Sequence, residues 1–146
     1  MMSIKKVKAK KNGVEKEWYI IDASGVRLGR IATTVSKILQ GKHKVTYLPN
    51  VDTGDYVIVI NAKMVDIFSK RLKRKKIYRH SGYPKGLKQE TLESLLARKP
   101  CKVIEKAISG MLPKTKLGKE MFTKLFVYED DMHKHKAQKP TLVEIT

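Results

Sequence analysis

Cysteine, acidic side chains and long apolar runs are what this chain of 146 residues has least of. Cys101 is its only cysteine, which excludes an internal disulfide and a multi-cysteine zinc ligand set and fits a reducing compartment such as the cytoplasm. No segment approaches the roughly 20 consecutive apolar residues needed to span a bilayer. The opening MMSIKKVKAKKNGVEKE carries lysines but no apolar stretch behind them, so neither secretion nor membrane insertion is expected. Acids are scarce: 14 Asp+Glu stand against 32 Lys+Arg, a formal net charge of +18. Charges of one sign at this density repel one another, and the first expectation is a polyanionic partner.

Enough apolar residue remains for a core. At 41% hydrophobic the chain is far from the composition of a disordered protein, and its length suits one compact domain. Residues 1–17 alternate Lys with small or polar residues and read as a basic arm, leaving 18–146 as a single domain with a C-terminal tail. The run Trp18, Tyr19, Ile20, Ile21 predicts a strand that Asp22 to Gly25 breaks. Leu28, Ile31, Ala32, Val35, Ile38 and Leu39 recur at helical spacing, and Gly41 supplies a stop. Tyr56 to Ile60 is apolar at every position, as in a parallel strand buried on both faces. Strand, helix and strand make a βαβ unit, and an α/β layered domain follows.

Beyond it, Val65 to Phe68 and Ile77–Tyr78 predict two short strands of an edge hairpin. Three helices are expected over Leu92 to Leu96, Val103 to Leu112, and Leu117 through Met121 to Leu125, punctuated by Pro100 and Pro113. Leu142 to Ile145 predicts a tail that docks as an extra strand.

The densest chemical feature is Lys70, Arg71, Lys73, Arg74, Lys75, Lys76 and Arg79, with Tyr78 and His80 interleaved and no acid among them. A lysine-protected sheet edge would read similarly, but the global charge favours phosphate binding. In Gly82, Tyr83, Pro84, Lys85, Gly86 and Lys88, glycine and proline allow close approach of a sugar–phosphate chain and Tyr83 offers a stacking face. The turn from Ala23 to Arg30 joins a strand to a helix, where amides and the helix dipole favour an anion. It has neither dinucleotide glycine spacing nor a GK[ST] ending, so helix capping with one phosphate near Arg27 or Arg30 is preferred to a nucleotide site. His133 and His135 lie near Glu129, Asp130 and Asp131, yet Lys134 and Lys136 oppose a metal, and no metal or other cofactor is expected. Cys101 reads as a semi-buried small residue rather than a reactive thiol. No nucleophile with its base and no paired carboxylates in an apolar setting can be recognised, so no catalytic residue is assigned. A basic RNA-processing enzyme would carry similar charge, and motifs must separate the two.

Taken in order, WYIIDASGVRLGRIA, GKHKVTYLPNVDTGDYVIVINA, YRHSGYPKGLK, AISGMLPKTKLGKEMFTKLFVY and HKHKAQKP closely resemble the bacterial-type large-subunit ribosomal protein L-thirteen family, from about Trp18 to Pro140. The resemblance implies a three-layer α/β/α fold around a mainly parallel four-stranded sheet. It also implies binding to large-subunit ribosomal RNA beside neighbouring large-subunit proteins, and an early role in subunit assembly, without catalysis. Carried over by position, it adds as RNA-facing Lys42, His43 and Lys44, the stretch from His80 to Lys88, Lys114, Lys116 and Lys119, and His133, Lys134 and His135. The chain departs from the family pattern where Lys85 replaces a common glycine, around Ser69 and Lys70, and at Lys134, where a proline is usual.

Overall fold

The computed structural model describes residues 16–67 and 74–145. Residues 1–15 of the predicted arm, Phe68 of the predicted hairpin, and Lys70, Arg71 and Lys73 of the basic run lie outside them.

The aromatic and β-branched run forms β1 (Trp18–Asp22), which Asp22 ends by accepting the Ser24 N–H at 2.9 Å, a local Asx turn. The apolar stripe forms α1 (Leu28–Gln40), with Ile31, Ala32, Val35, Ile38 and Leu39 buried, and Gly41 closes it in the left-handed region at φ 77°. The uniformly apolar run is β2 (Tyr56–Ile60), parallel to β1 with Trp18 opposite Tyr56. Val57, Ile58 and Val59 are fully buried, and β5 (Leu125–Val127) pairs in parallel on the other edge of β2. β6 (Thr141–Leu142) docks beside β1, as the tail predicted, giving the all-parallel order β5-β2-β1-β6 expected of the α/β fold.

Strand alternation divides this sheet into two unlike faces. Tyr19, Ile21, Val57 and Val59 pack against the stripe of α1 and against Ile104, Ile108 and Leu112, contributed by and just after the long helix Pro100–Met111. Each such buried side chain contributes about 1.5–3 kcal/mol. Trp18, Tyr56 and Phe126 lie on the opposite face, where the return crossover from β5 to β6 passes over them. His135 from that crossover sets its ring 4.4 Å from Phe126 and 5.0 Å from Trp18. Its only regular element is a single 3-10 turn, Lys136–Gln138.

Two sequence expectations are corrected. The hairpin strands are β3 (Lys76–His80) and β4 (Leu87–Thr91), antiparallel, and Val65 to Ile67 are not part of the pair. Val65 and Ile67 are instead buried in the two cores, and Asp66 makes an isolated bridge to Arg27 at the start of α1. The second correction is at Leu125, which begins β5 and does not end a helix. Three helices precede it, α2 (Leu92–Arg98), α3 (Pro100–Met111) and α4 (Lys116–Phe122). After Thr123 the chain is captured by the free edge of β2, whose Val57 N–H donates to the Lys124 carbonyl at 3.1 Å. A small second core of Ile67, Leu92, Leu95 and Val103, with Ile77 against it, anchors the hairpin to α2 and α3.

Candidate nucleic-acid interface

The hairpin is built of residues that a sheet does not select for their own sake. Its register sets Arg79 opposite Lys88, and Lys76, Tyr78, Arg79, His80 and Lys88 are all exposed. Like charges directly across a ladder oppose pairing. The connecting loop is closed by Ser81 N–H to Gly86 O at 3.2 Å and Gly86 N–H to Tyr83 O at 2.9 Å, while the Gly82 N–H donates to Nδ1 of His80 at 2.9 Å. Tyr83 is 76% exposed at the tip. Lys85 has φ 60°, a left-handed conformation that costs a side chain about 1–2 kcal/mol. Arg74, Lys75 and Lys76 lead into the hairpin and are exposed.

The loop after α1 behaves otherwise. Lys42 is exposed, but Lys44 directs Nζ to Oδ1 of fully buried Asp55 at 2.5 Å, and His43 places Nε2 2.9 Å from Oδ2, a pair that is ionic only when the imidazole is protonated. Oδ2 has no hydrogen bond among the described residues. Oδ1 also accepts the Glu17 N–H at 2.9 Å.

Beside this pair sits a cluster that no sequence signal announced. Lys124, 3% exposed, donates to Gly54 O at 2.8 Å, Leu39 O at 3.3 Å and Oδ1 of Asp52 at 2.5 Å. Burial lowers the Lys124 pKa and outweighs the opposing pull of Asp52. For Asp52, burial pushes up but hydrogen bonds from Lys124 and Lys16 outweigh it and hold the carboxyl below its ordinary value. Gly54 is forced by this arrangement, since a Cβ there would stand 1.7 Å from the Leu39 carbonyl oxygen.

The remaining predicted residues fall into separate patches. At the start of α1 the turn amides are already engaged: Gly25 N–H donates to Met64 O at 3.0 Å and Leu28 N–H to Asp66 O at 3.2 Å, which leaves a poor nucleotide cradle. Arg27, Arg30 and Lys75, distant in sequence, meet at the rim of one cleft of about 800 Å³ walled by Leu28, Ile77, Val103 and Met111. Lys114 and Lys116 are exposed around the turn into α4, and Lys119 lies exposed on that helix. Thr115 caps α4 by accepting the Gly118 N–H at 3.2 Å, and a Cβ at Gly118 would meet the Pro113 oxygen at 1.8 Å. The distinctive MLPKTKLG stretch is therefore a close-packed turn that carries lysines outward.

His133 and His135 are half-buried among Trp18, Phe126 and Tyr128, with Lys134 exposed between them. Cys101 is half-buried, and burial with Glu129 and Glu105 nearby raises its thiol pKa, the opposite of an activated cysteine. Sequence reasoning overlooked Arg98, Lys99, Lys102 and Lys106, which the fold sets across a groove from Arg79 and Lys88. The four-residue spacing of Lys102 and Lys106 on α3 was the available signal.

Comparison with known proteins accounts for the motif order. Residues 16–134 match the family model described as ribosomal protein L13. Proteins named large ribosomal subunit protein uL13 are similar along nearly their whole lengths. The one from Desulfitobacterium hafniense is 53% identical over 132 residues, covering 90% of this chain and 92% of that protein. That of Nitrosococcus oceani is 49% identical over 142 residues, covering 97% and 100%. That of Acholeplasma laidlawii is 47% identical over 137 residues, covering 94% and 96%.

Proposed function

Because the chain belongs to the ribosomal protein L13 family, we propose that it is a structural constituent of the large ribosomal subunit in the cytoplasm, binds large-subunit ribosomal RNA, and supports early subunit assembly and translation. Its role is architectural and not enzymatic. The observation that carries the RNA reading is the division of its cations. Lys16, Lys44, Lys63, Arg98 and Lys124 form ion pairs with acids, whereas Lys42, Lys75, Lys76, Arg79, Lys85, Lys88, Lys114, Lys116 and Lys119 are exposed and form none among the described residues.

Cations left in this state are available to phosphates, and releasing the counterions around the RNA drives association. The exposed loops with Tyr83 and Lys85, the turn with Lys114 and Lys116, and the rim with Arg27, Arg30 and Lys75 supply contacts on several sides. Such a wedge neutralises RNA segments where they converge and fixes their geometry, with neighbouring large-subunit proteins as its other partners. Lys70, Arg71 and Lys73 belong to the same proposal by sequence alone. His43, Lys44, His133 and His135 act in it by shaping the loops that carry Lys42 and Lys134.

Titrating the full chain with large-subunit ribosomal RNA tests the proposal. Contact with about six to ten phosphates should lower affinity by about three to five decades between roughly 50 and 200 mM salt. A salt-insensitive complex would overturn the mechanism. Sedimentation of a lysate should find the chain in stoichiometric amounts in large subunits after a moderate salt wash; a free pool with RNA turnover would favour an enzyme.

A further inference from the structure

Beside the start of α1, the small second core opens onto the cleft of about 800 Å³ that β3, α2 and α3 complete. Ile67, Leu92 and Val103, each less than a tenth exposed, are the most buried of its lining. Leu28, Ile77 and Ala107 are half-buried along it, and Met111 is 44% exposed. Apolar side chains lining an open cleft gain stability when an apolar group displaces the water from them.

Cations from three elements stand around this lining: Arg30 on α1, Lys75 leading into β3, and Lys106 on α3, with Arg27 beside them. Arg30, Lys75 and Lys106 are exposed and form no ion pair among the described residues. Asp66 is the one acid among the described residues of the lining. A second copy of the chain, with its net charge of +18, is repelled by this rim, and an acidic occupant is drawn to it.

Acid alone does not match the cleft. The sugar–phosphate backbone of RNA meets the cations but leaves the apolar side chains in water. A nucleobase pushed inward finds no aromatic ring to stack on among the described residues of the lining, and its polar edge faces aliphatic groups that cannot hydrogen-bond. A fatty acid covers the apolar lining but brings a single carboxylate to cations that arrive from three elements. A protein segment with a large apolar side chain set among several acids satisfies both the lining and the rim.

Resting on the RNA-binding reading above, we infer that this cleft docks an acidic protein segment through such an apolar anchor, and that this partner holds the chain while it is off RNA. Arg30 and Lys75 are cations that the RNA also claims, so the two occupants exclude one another. The partner covers the open side of the second core and neutralises part of the surface charge until RNA takes its place.

The test uses the full chain and two fluorescent peptides read by anisotropy, one with a Leu–Phe pair between runs of glutamate, the other with two alanines in place of that pair. The Leu–Phe peptide should bind about 10- to 100-fold more tightly, from the apolar area that it buries. Met111→Gln should shrink that preference several-fold and leave the salt dependence unchanged. Arg30→Gln/Lys106→Gln should weaken both peptides alike and flatten their salt dependence, because it removes charge from the rim. A Lys37→Gln/Lys136→Gln variant, which removes the same charge from elsewhere on the surface, should bind both as the parent does. Circular dichroism should show all three variants folded. In the unaltered chain, a photoleucine at the anchor position should crosslink to Leu28, Ala107 or Met111, and large-subunit ribosomal RNA should release the bound peptide.

The inference is overturned if the two peptides bind alike, if Met111→Gln leaves the preference intact, if crosslinks avoid the cleft, or if polyglutamate or decanoate at equal charge displaces the Leu–Phe peptide. Peptide that stays on the RNA-bound chain overturns it as well. Residues 68–73 join Ile67 to Arg74 beside the cleft, and a Phe68→Ser/Leu72→Ser variant that bound the Leu–Phe peptide more than about tenfold tighter would make the chain's own residues the occupant. A chain that prefers the Leu–Phe peptide as expected but binds no large-subunit ribosomal RNA overturns the proposed function and leaves the occupant of the cleft standing.

Discussion

The sheet with α1 and the annex of hairpin, α2 and α3 handle charge in opposite ways. Under the sheet, every charge taken out of water has partners: Lys124 is shared among Asp52 and two carbonyls, and Asp55 among Lys44, His43 and a backbone amide. On the hairpin, Arg79 faces Lys88 and neither is paired with an acid among the described residues. A buried ion without its partner costs several kcal/mol, so the interior must be balanced before the protein folds. An exposed cation costs little until others crowd it, and that imbalance is relieved when a polyanion binds. The first region is thus balanced by the protein's own side chains, while the second carries an excess of positive charge at its surface.

Cutting into the balanced region should have the largest effect on folding. Lys124→Ala leaves Asp52 and the Leu39 and Gly54 carbonyls without their buried cation and should cost about 3–5 kcal/mol in urea denaturation. A loss as small as that of an exposed pair, such as Lys63 with Asp130, would erase the distinction between the two regions.

In the unbalanced region the effect should shift from folding to binding. Reversing Arg74, Lys75 and Lys76 to Glu should leave the circular dichroism spectrum unchanged yet weaken association with ribosomal RNA and flatten its salt dependence, because all three are exposed. Loss of folded structure with normal RNA affinity in what remains would reverse the assignment.

Lys85→Gly isolates the two properties within one residue. Releasing a side chain from φ 60° should raise stability by about 1 kcal/mol in thermal unfolding, while the lost cation should lower RNA affinity slightly. Unchanged stability would mean that the loop relaxes around the lysine.

The mildest test is pH. Asp52 has a depressed folded-state pKa, so its contribution is present above the unfolded carboxyl value near 3.8 and is lost as pH falls through the lower folded value. Asp52→Asn should flatten the stability curve in that acid window, as followed by denaturation at successive pH values. An identical curve for the variant would show that the lysines stabilise the charged carboxylate no better than water does.

Much of the fold was legible because the responsible forces are local or periodic. The stripe from Ile31 to Leu39 marked α1, Gly41 marked its end, and the unbroken apolar run of β2 marked a central parallel strand. β4 was missed because neither face of the hairpin is deeply buried, so Leu87 to Thr91 shows no apolar alternation. Leu125 was misplaced because it stands four residues after Met121, a helical spacing that the edge of β2 overrides. For the candidate interface, the hairpin and its loop were visible as a dense basic run. The α3 wall was not, since Lys102 and Lys106 matter only once the hairpin is folded across from them.

Composition and motif order were sufficient for a basic α/β protein of this ribosomal family, because net charge and short-range pattern survive without coordinates. Which lysines serve the interior and which remain for RNA could not be read along the chain. Lys124 finds Asp52 across 72 residues, and Lys44 turns inward while Lys42, two positions away, stays in water. Identical side chains acquire different roles through burial and through the distance to the nearest acid, and both are set by how the chain packs.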